Sequence, residues 1–110
     1  MKMESVGEVI ATRTLMLLQD DGTASEVLVI LGKPRQLPDH HDQYCSYQIK
    51  EAGDEKVRYA CGVDPFQALH LALSTLGTEL EALNNELGGK LRWECDDMGG
   101  LGFPGFAPTV

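Results

Sequence analysis

The side chains with the most chemical capacity gather in one short stretch, His40, His41 and Asp42, with Cys45 close behind. Imidazole, carboxylate and thiolate are all zinc ligands, but zinc takes four donors in a tetrahedral arrangement. Neighbours in one loop cannot all turn toward one ion without help from elsewhere. The stretch therefore reads first as a solvated polar loop and only second as a metal site, and no cofactor is expected. Nucleophilic catalysis needs an activated Cys or Ser with a base held beside it. Cys45, Cys61 and Cys95 have no C-x-x-C spacing, and strand alternation turns all three toward apolar faces, where burial raises a thiol pKa. His70 falls one residue past Leu69 on a helical stripe, a boundary position. No nucleophile elbow, phosphate loop or dinucleotide fingerprint occurs. Gly99-Gly100-Leu101-Gly102 lacks the strand–turn–helix setting of a phosphate cradle. The expectation is a protein without catalytic residues.

What remains is surface. Leu80, Leu83 and Leu87 form a narrow apolar strip flanked by Glu79, Glu81 and Glu86, and Glu94, Asp96 and Asp97 gather before a tail that carries Phe103 and Phe106. An apolar strip rimmed by carboxylates suits a protein partner. Nine basic against seventeen acidic residues give a net charge of −8, which repels a phosphate backbone and excludes broad nucleic-acid binding. The 110 residues are enough for one domain, and 43% hydrophobic with 24% charged residues is ordinary for a soluble globular chain. No stretch approaches the roughly 18 apolar residues of a membrane span, and residues 1–8 carry acidic side chains where a signal peptide needs an apolar run. An odd cysteine count suits a reducing compartment, so a cytoplasmic protein is expected.

The elements that position these residues are legible in outline. Two apolar runs, about 8–18 and 26–32, flank Asp20-Asp21-Gly22-Thr23 and read as a hairpin. Neither alternates cleanly, which predicts strands buried on both faces. Residues 33–42 read as a long loop. Strands at about 44–50 and 57–63 alternate: Cys45, Tyr47 and Ile49 share one face, as do Val57, Tyr59, Cys61 and Val63. Keeping both apolar sets on one face pairs Ile49 with Val57, Tyr47 with Tyr59 and Cys45 with Cys61; two small buried hydrophobes are the simpler reading of that cysteine pair.

Asp64-Pro65-Phe66-Gln67 is a helix start with cap, proline and capping-box glutamine in place. Phe66, Leu69, Leu73, Leu76, Leu80, Leu83 and Leu87 then form one stripe over a helix at 65–87, closed by Gly88-Gly89. At 1.5 Å per residue this helix is about 34 Å long against about 20 Å for a six-residue strand. Its second half is therefore expected to overhang the sheet, with Gly77 weakening the helix by roughly 1 kcal/mol near the change. Leu91, Trp93 and Cys95 alternate through a last strand at about 90–95, and a Gly/Pro/Phe tail follows at 96–110. The order β-β-β-β-α-β is an α+β fold, an antiparallel four- to five-stranded sheet with one helix on one face. Leu69, Leu73, Leu76, Trp93, Tyr47 and Tyr59 are the expected core. One helix leaves the second sheet face to the tail or to another copy of the chain.

With these motifs in place the chain resembles a family of small bacterial proteins classed as a domain of unknown function. The likeness rests on Arg13-Thr14-Leu15, Ile30-Leu31-Gly32-Lys33-Pro34, Tyr44-Cys45-Ser46-Tyr47-Gln48-Ile49, the helix start Gly62-Val63-Asp64-Pro65-Phe66-Gln67-Ala68-Leu69, then Gly89-Lys90-Leu91-Arg92-Trp93-Glu94 and Gly102-Phe103-Pro104. The resemblance implies a compact domain and no assigned activity.

Function is thus expected to lie in association. The first reading is a non-enzymatic protein-interaction module, with homodimer formation as one mode and Leu80, Leu83, Leu87, Phe103 and Phe106 as its surface. The alternatives are an acidic immunity- or antitoxin-like protein that neutralises a basic partner, and a small-molecule or metal-binding enzyme.

Overall fold

Where a run of β-branched and apolar residues meets an Asp/Gly turn, the chain folds back on itself. β1 (Val9–Leu18) and β2 (Ala24–Gly32) are antiparallel, with Leu15 opposite Val27. Asp21 closes their turn by accepting from the Thr23 amide (2.9 Å) and hydroxyl (2.6 Å). The computed structural model describes residues 5–51, 56–94, 96 and 100–104. The predicted loop at 33–42 contains a short strand, β3 (Arg35–Gln36), which pairs with the start of β4 (Gln43–Lys50). β5 (Val57–Gly62), α1 (Pro65–Glu86) and β6 (Leu91–Arg92) complete the fold. β4 pairs with β5 along one edge and with β2 and β3 along the other, while β6 joins the far edge of β1. The result is the expected antiparallel α+β meander.

Asp64 caps α1, its Oδ1 accepting from the Gln67 amide at 2.7 Å, and Gln67 Oε1 accepts from the Val63 amide at 2.7 Å. The helix has to carry the chain from the β5 edge to the β6 edge. β1 and β2, with 10 and 9 residues, run about 30 Å, close to the helix length, so the second half does not overhang. Leu80 is 0% exposed and Leu83 packs against the core. The Asn84 side chain accepts from the Leu91 amide at 2.9 Å and ties the helix end to β6.

Several expectations are corrected. The β4–β5 register is one residue away from the predicted pairing: Tyr47 faces Arg58, Ser46 faces Tyr59, and Cys45 faces Ala60. Side chains alternate with period two, so this slip moves Val57, Tyr59 and Cys61 to the sheet face away from the helix. The reason is steric. A Cβ on Gly62 would stand 2.8 Å from Gln67 Cβ and closer still to the Ala68 amide nitrogen, so only the small face of β5, Ala60 and Gly62, can sit beneath the helix. Tyr59 instead meets Tyr44 edge to face at 6.1 Å between ring centroids. Phe66 leaves the predicted stripe and is 85% exposed. The buried helix residues are Ala68, Ala72, Ser74, Leu76 and Leu80, because small side chains let the helix approach the sheet. β6 is two residues long rather than six, and Trp93 lies beyond it.

The core lies between α1 and the face of the sheet carrying Leu15, Val27, Val29, Leu31, Cys45, Tyr47 and Ile49. β2 is buried on both faces from Val29 to Gly32, whereas Val9, Ile10 and Leu18 of β1 stay exposed. Of the described tail residues, Leu101 and Phe103 pack on the helix side and not on the second face. Part of it is covered by the segment leading into β1: Val6 is buried, and its carbonyl accepts from the buried Ser46 hydroxyl at 2.7 Å.

Candidate functional site

The metal and thiol candidates do not converge. His40 and His41 are exposed and Asp42 is half-buried. Cys45 is buried beneath the helix, its thiol donating to the Gly32 carbonyl at 3.3 Å, and burial pushes that thiol up to about 11. Among the described residues no group of three or more His, Cys, Asp or Glu side chains is placed to hold a metal ion. Cys61 is exposed, on the opposite face from Cys45, and Cys95 lies outside the described residues. His70 is exposed on α1.

Among the described residues two concave sites flank α1. The first is a groove of about 270 Å³ between the helix and the ends of β4 and β5. Its floor is Ile49, Ala82 and Leu83, and its rim is Glu51, Arg58, Glu79 and Glu86. Residues 79, 82, 83 and 86 share one helical face by their spacing, and the observed register sets Arg58 opposite Tyr47. Tyr47 reaches under the helix, and its hydroxyl donates to Glu79 Oε1 at 3.0 Å. Burial first, and the Glu79 charge second, hold this phenol well above the usual tyrosine value. Arg58 Nη1 stands 3.9 Å from Glu79 Oε2, an ion pair longer than a hydrogen bond. Glu79 Oε2 is shielded from water and accepts no hydrogen bond among the described residues.

The second site is a pocket of about 130 Å³ at the β1 edge, floored by Val29 and Leu31 and walled by Ala11, Leu73 and Leu76. Arg13 and Phe103 stand at its margin. The Arg13 guanidinium lies against two rings, 4.0 Å from the Trp93 centroid and 4.7 Å from that of Phe103. Its Nη1 donates to the carbonyls of Leu101 (3.1 Å) and Gly102 (2.9 Å). Gly102 has φ +79°, and a Cβ there would stand 2.6 Å from both Arg13 Nη1 and Trp93 Cε3. The chain beyond β6 is thus clasped by one strand residue. It rests on Gly77, where a Cβ would meet Phe103 Cβ at 3.2 Å and Pro104 O at 2.5 Å. Gly77 serves this approach rather than a helix overhang.

Of the residues expected to form an interaction surface, Leu80 is a core residue and is not available to a partner. Leu83 and Leu87 are half-buried, and Leu83 forms part of the acidic groove. Phe103 is half-buried in the Arg13 clasp, and Phe106 lies outside the described residues. The carboxylates Glu79 and Glu86 were legible from their place beside the leucines. Tyr47 and Arg58 were not, because their position depends on the β4–β5 register. The clasp was equally hidden, since Arg13 and Gly102 meet only through tertiary contact.

Among the described residues no helix is long and apolar enough to cross a membrane. No curated protein and no solved structure matches the chain. A family model matches residues 11–105, a span that takes in Arg13, Tyr47, Arg58, Glu79, Trp93 and Phe103, and the chain accordingly belongs to the family described as Domain of unknown function (DUF6968).

Proposed function

We propose that the chain is a non-enzymatic protein-interaction module whose groove between α1 and the β4–β5 hairpin takes a basic side chain of a partner protein. The observation that carries this reading is Glu79 Oε2, a shielded carboxylate oxygen that accepts no hydrogen bond among the described residues. An unsatisfied acceptor of this kind costs roughly 1–3 kcal/mol, which a donor from a partner offsets. Glu51 and Glu86 add two carboxylates to the same rim against the single guanidinium of Arg58. Ile49, Ala82 and Leu83 provide an apolar floor for the methylene stem of a lysine or arginine. A net charge of −8 steers a basic partner toward the chain and disfavours nucleic acid. Neutralisation of a basic partner, as in an immunity- or antitoxin-like role, is the narrower form of the same reading. The cytoplasm suits it, because an exposed thiol such as Cys61 stays reduced there.

The test is a titration with a short arginine-containing peptide at low salt, followed through the amide signals of Ala82 and Leu83. Saturable, salt-sensitive binding that weakens at least about tenfold in the Glu79→Gln/Glu86→Gln double variant supports the groove. Binding that is unchanged in that variant, or that maps to other amides, overturns it.

Self-association is a second reading, favoured by Val63 (71% exposed) and Phe66 (85% exposed), which sit together at the β5–α1 corner. Light scattering on the full chain decides it: a dimer that dissociates in Phe66→Asp supports this corner as the interface, and a monomer at high concentration removes it.

A further inference from the structure

We propose that the pocket at the β1 edge binds a small apolar monocarboxylate of about the size of benzoate. Protein interiors are close-packed, and gaps larger than a water molecule are few. At this edge the sheet and helix leave about 130 Å³ between them, bounded by Ala11, Val29, Leu31, Leu73 and Leu76. An apolar cavity of about 150 Å³ holds benzene, so the space suits one ring or a short branched chain and is too small for a nucleotide or a long acyl chain. Apart from Thr12 and the marginal Arg13, the lining side chains are apolar and suit an apolar body.

The margin supplies a charge. Arg13 is fixed by contact with the Trp93 and Phe103 rings and by the two carbonyls that engage Nη1. Nη2 and Nε donate to no group among the described residues, and no carboxylate there lies within ion-pair distance of the guanidinium. A held guanidinium with two donor nitrogens unengaged among the described residues recognises a carboxylate through two parallel hydrogen bonds. Because Arg13 is already held in one orientation, little side-chain entropy is lost on binding. An apolar body and a single carboxylate are thus the complementary chemistry, and no carboxylate stands among the lining residues to pair with an amine. This site is on the opposite flank of α1 from the acidic groove and does not depend on it.

The experiment is a pair of titrations of the full chain, with benzoate and with its neutral analogue benzyl alcohol, read by the amide signals of Ala11, Val29 and Leu73. Benzoate is expected to shift them saturably and to bind at least about tenfold more tightly than benzyl alcohol, as expected for a charge-assisted hydrogen-bonded pair. Ala11→Leu fills the pocket without touching the clasp and is expected to abolish both. Arg13→Gln is expected to reduce benzoate to the level of the alcohol. Absence of saturable benzoate shifts, equal affinity for the two probes, or undiminished binding to Ala11→Leu overturns the proposal. The comparison of the two probes on the wild-type chain decides it even where Arg13→Gln loosens the tail.

Discussion

Tyr47 and Glu79 join the middle of the sheet to the helix through one hydrogen bond of 3.0 Å, and the acceptor is a carboxylate whose other oxygen is shielded, accepts no hydrogen bond among the described residues and faces Arg58 at 3.9 Å. The bond lies at the head of the acidic groove and couples the stability of the fold to the charge of the proposed site.

Removing the phenol hydroxyl therefore leaves neither oxygen of Glu79 with a donor. Tyr47→Phe is expected to destabilise the chain by about 1–3 kcal/mol, more than a neutral hydrogen bond is usually worth. Urea unfolding of Tyr47→Phe, Glu79→Gln and the double variant checks it. A coupling energy near zero would mean that the two residues act independently.

The contact between β5 and the helix start is equally specific. Gly62→Ala places a methyl against the backbone at Ala68 and 2.8 Å from Gln67 Cβ. Backbone cannot swing aside as a flexible side chain can. The expected cost is about 1–3 kcal/mol, a fall in melting temperature of at least about 4 °C for a chain of this size, read by thermal unfolding. A variant as stable as the wild type would show that the helix can stand off the strand.

Trp93 is the one tryptophan in the chain, so its fluorescence reports the clasp. Arg13→Ala removes the cation over its ring and the donor to Leu101 and Gly102. The emission maximum is expected to move to the red as water reaches the indole, with a modest loss of stability of about 1–2 kcal/mol. Faster proteolysis after Phe103 is the second readout, and an unchanged spectrum together with unchanged cleavage would contradict the clasp.

Stability is expected to fall in alkali. Cys45, raised from 9.0 to about 11 by burial, and Tyr47, raised above 10.0 by burial and by Glu79, both hold their protons more tightly in the folded chain than in the unfolded one. Each contributes stability that is full below its unfolded value and lost as pH rises through the folded one. For Cys45 the window is pH 9 to about 11, with a slope approaching about 1.4 kcal/mol per pH unit. Tyr47 adds to it above pH 10. Cys45→Ala should flatten the lower part of that slope in unfolding curves measured from pH 8.5 upward; an unchanged slope would show that the thiol is not the source.

Read from the sequence alone, the locally determined features hold. The β1–β2 turn follows from Asp21 and Gly22, the helix start from Asp64, Pro65 and Gln67, and the helix end from Gly88, because each depends on residues within one turn of chain. The α+β class follows too, since the change from period two to period 3.6 is written along the chain. Within each strand, alternation correctly grouped Cys45 with Tyr47 and Ile49, and Val57 with Tyr59 and Cys61.

What alternation does not contain is which of a strand's two faces the helix will cover. In β5 the more apolar face is the one turned away, because close approach of a helix is decided by the size of Ala60 and Gly62 rather than by hydrophobicity. That one-residue choice separated Cys45 from Cys61 and brought Arg58 toward Glu79, which made the groove. The same holds for Arg13, Trp93 and Gly102, whose meeting depends on where a tail of irregular backbone settles. Capping and periodicity are short-range and so are legible in the sequence. Register between strands, the fit of glycine beneath a helix and the seating of a tail are long-range steric matters, and only the folded chain decides them.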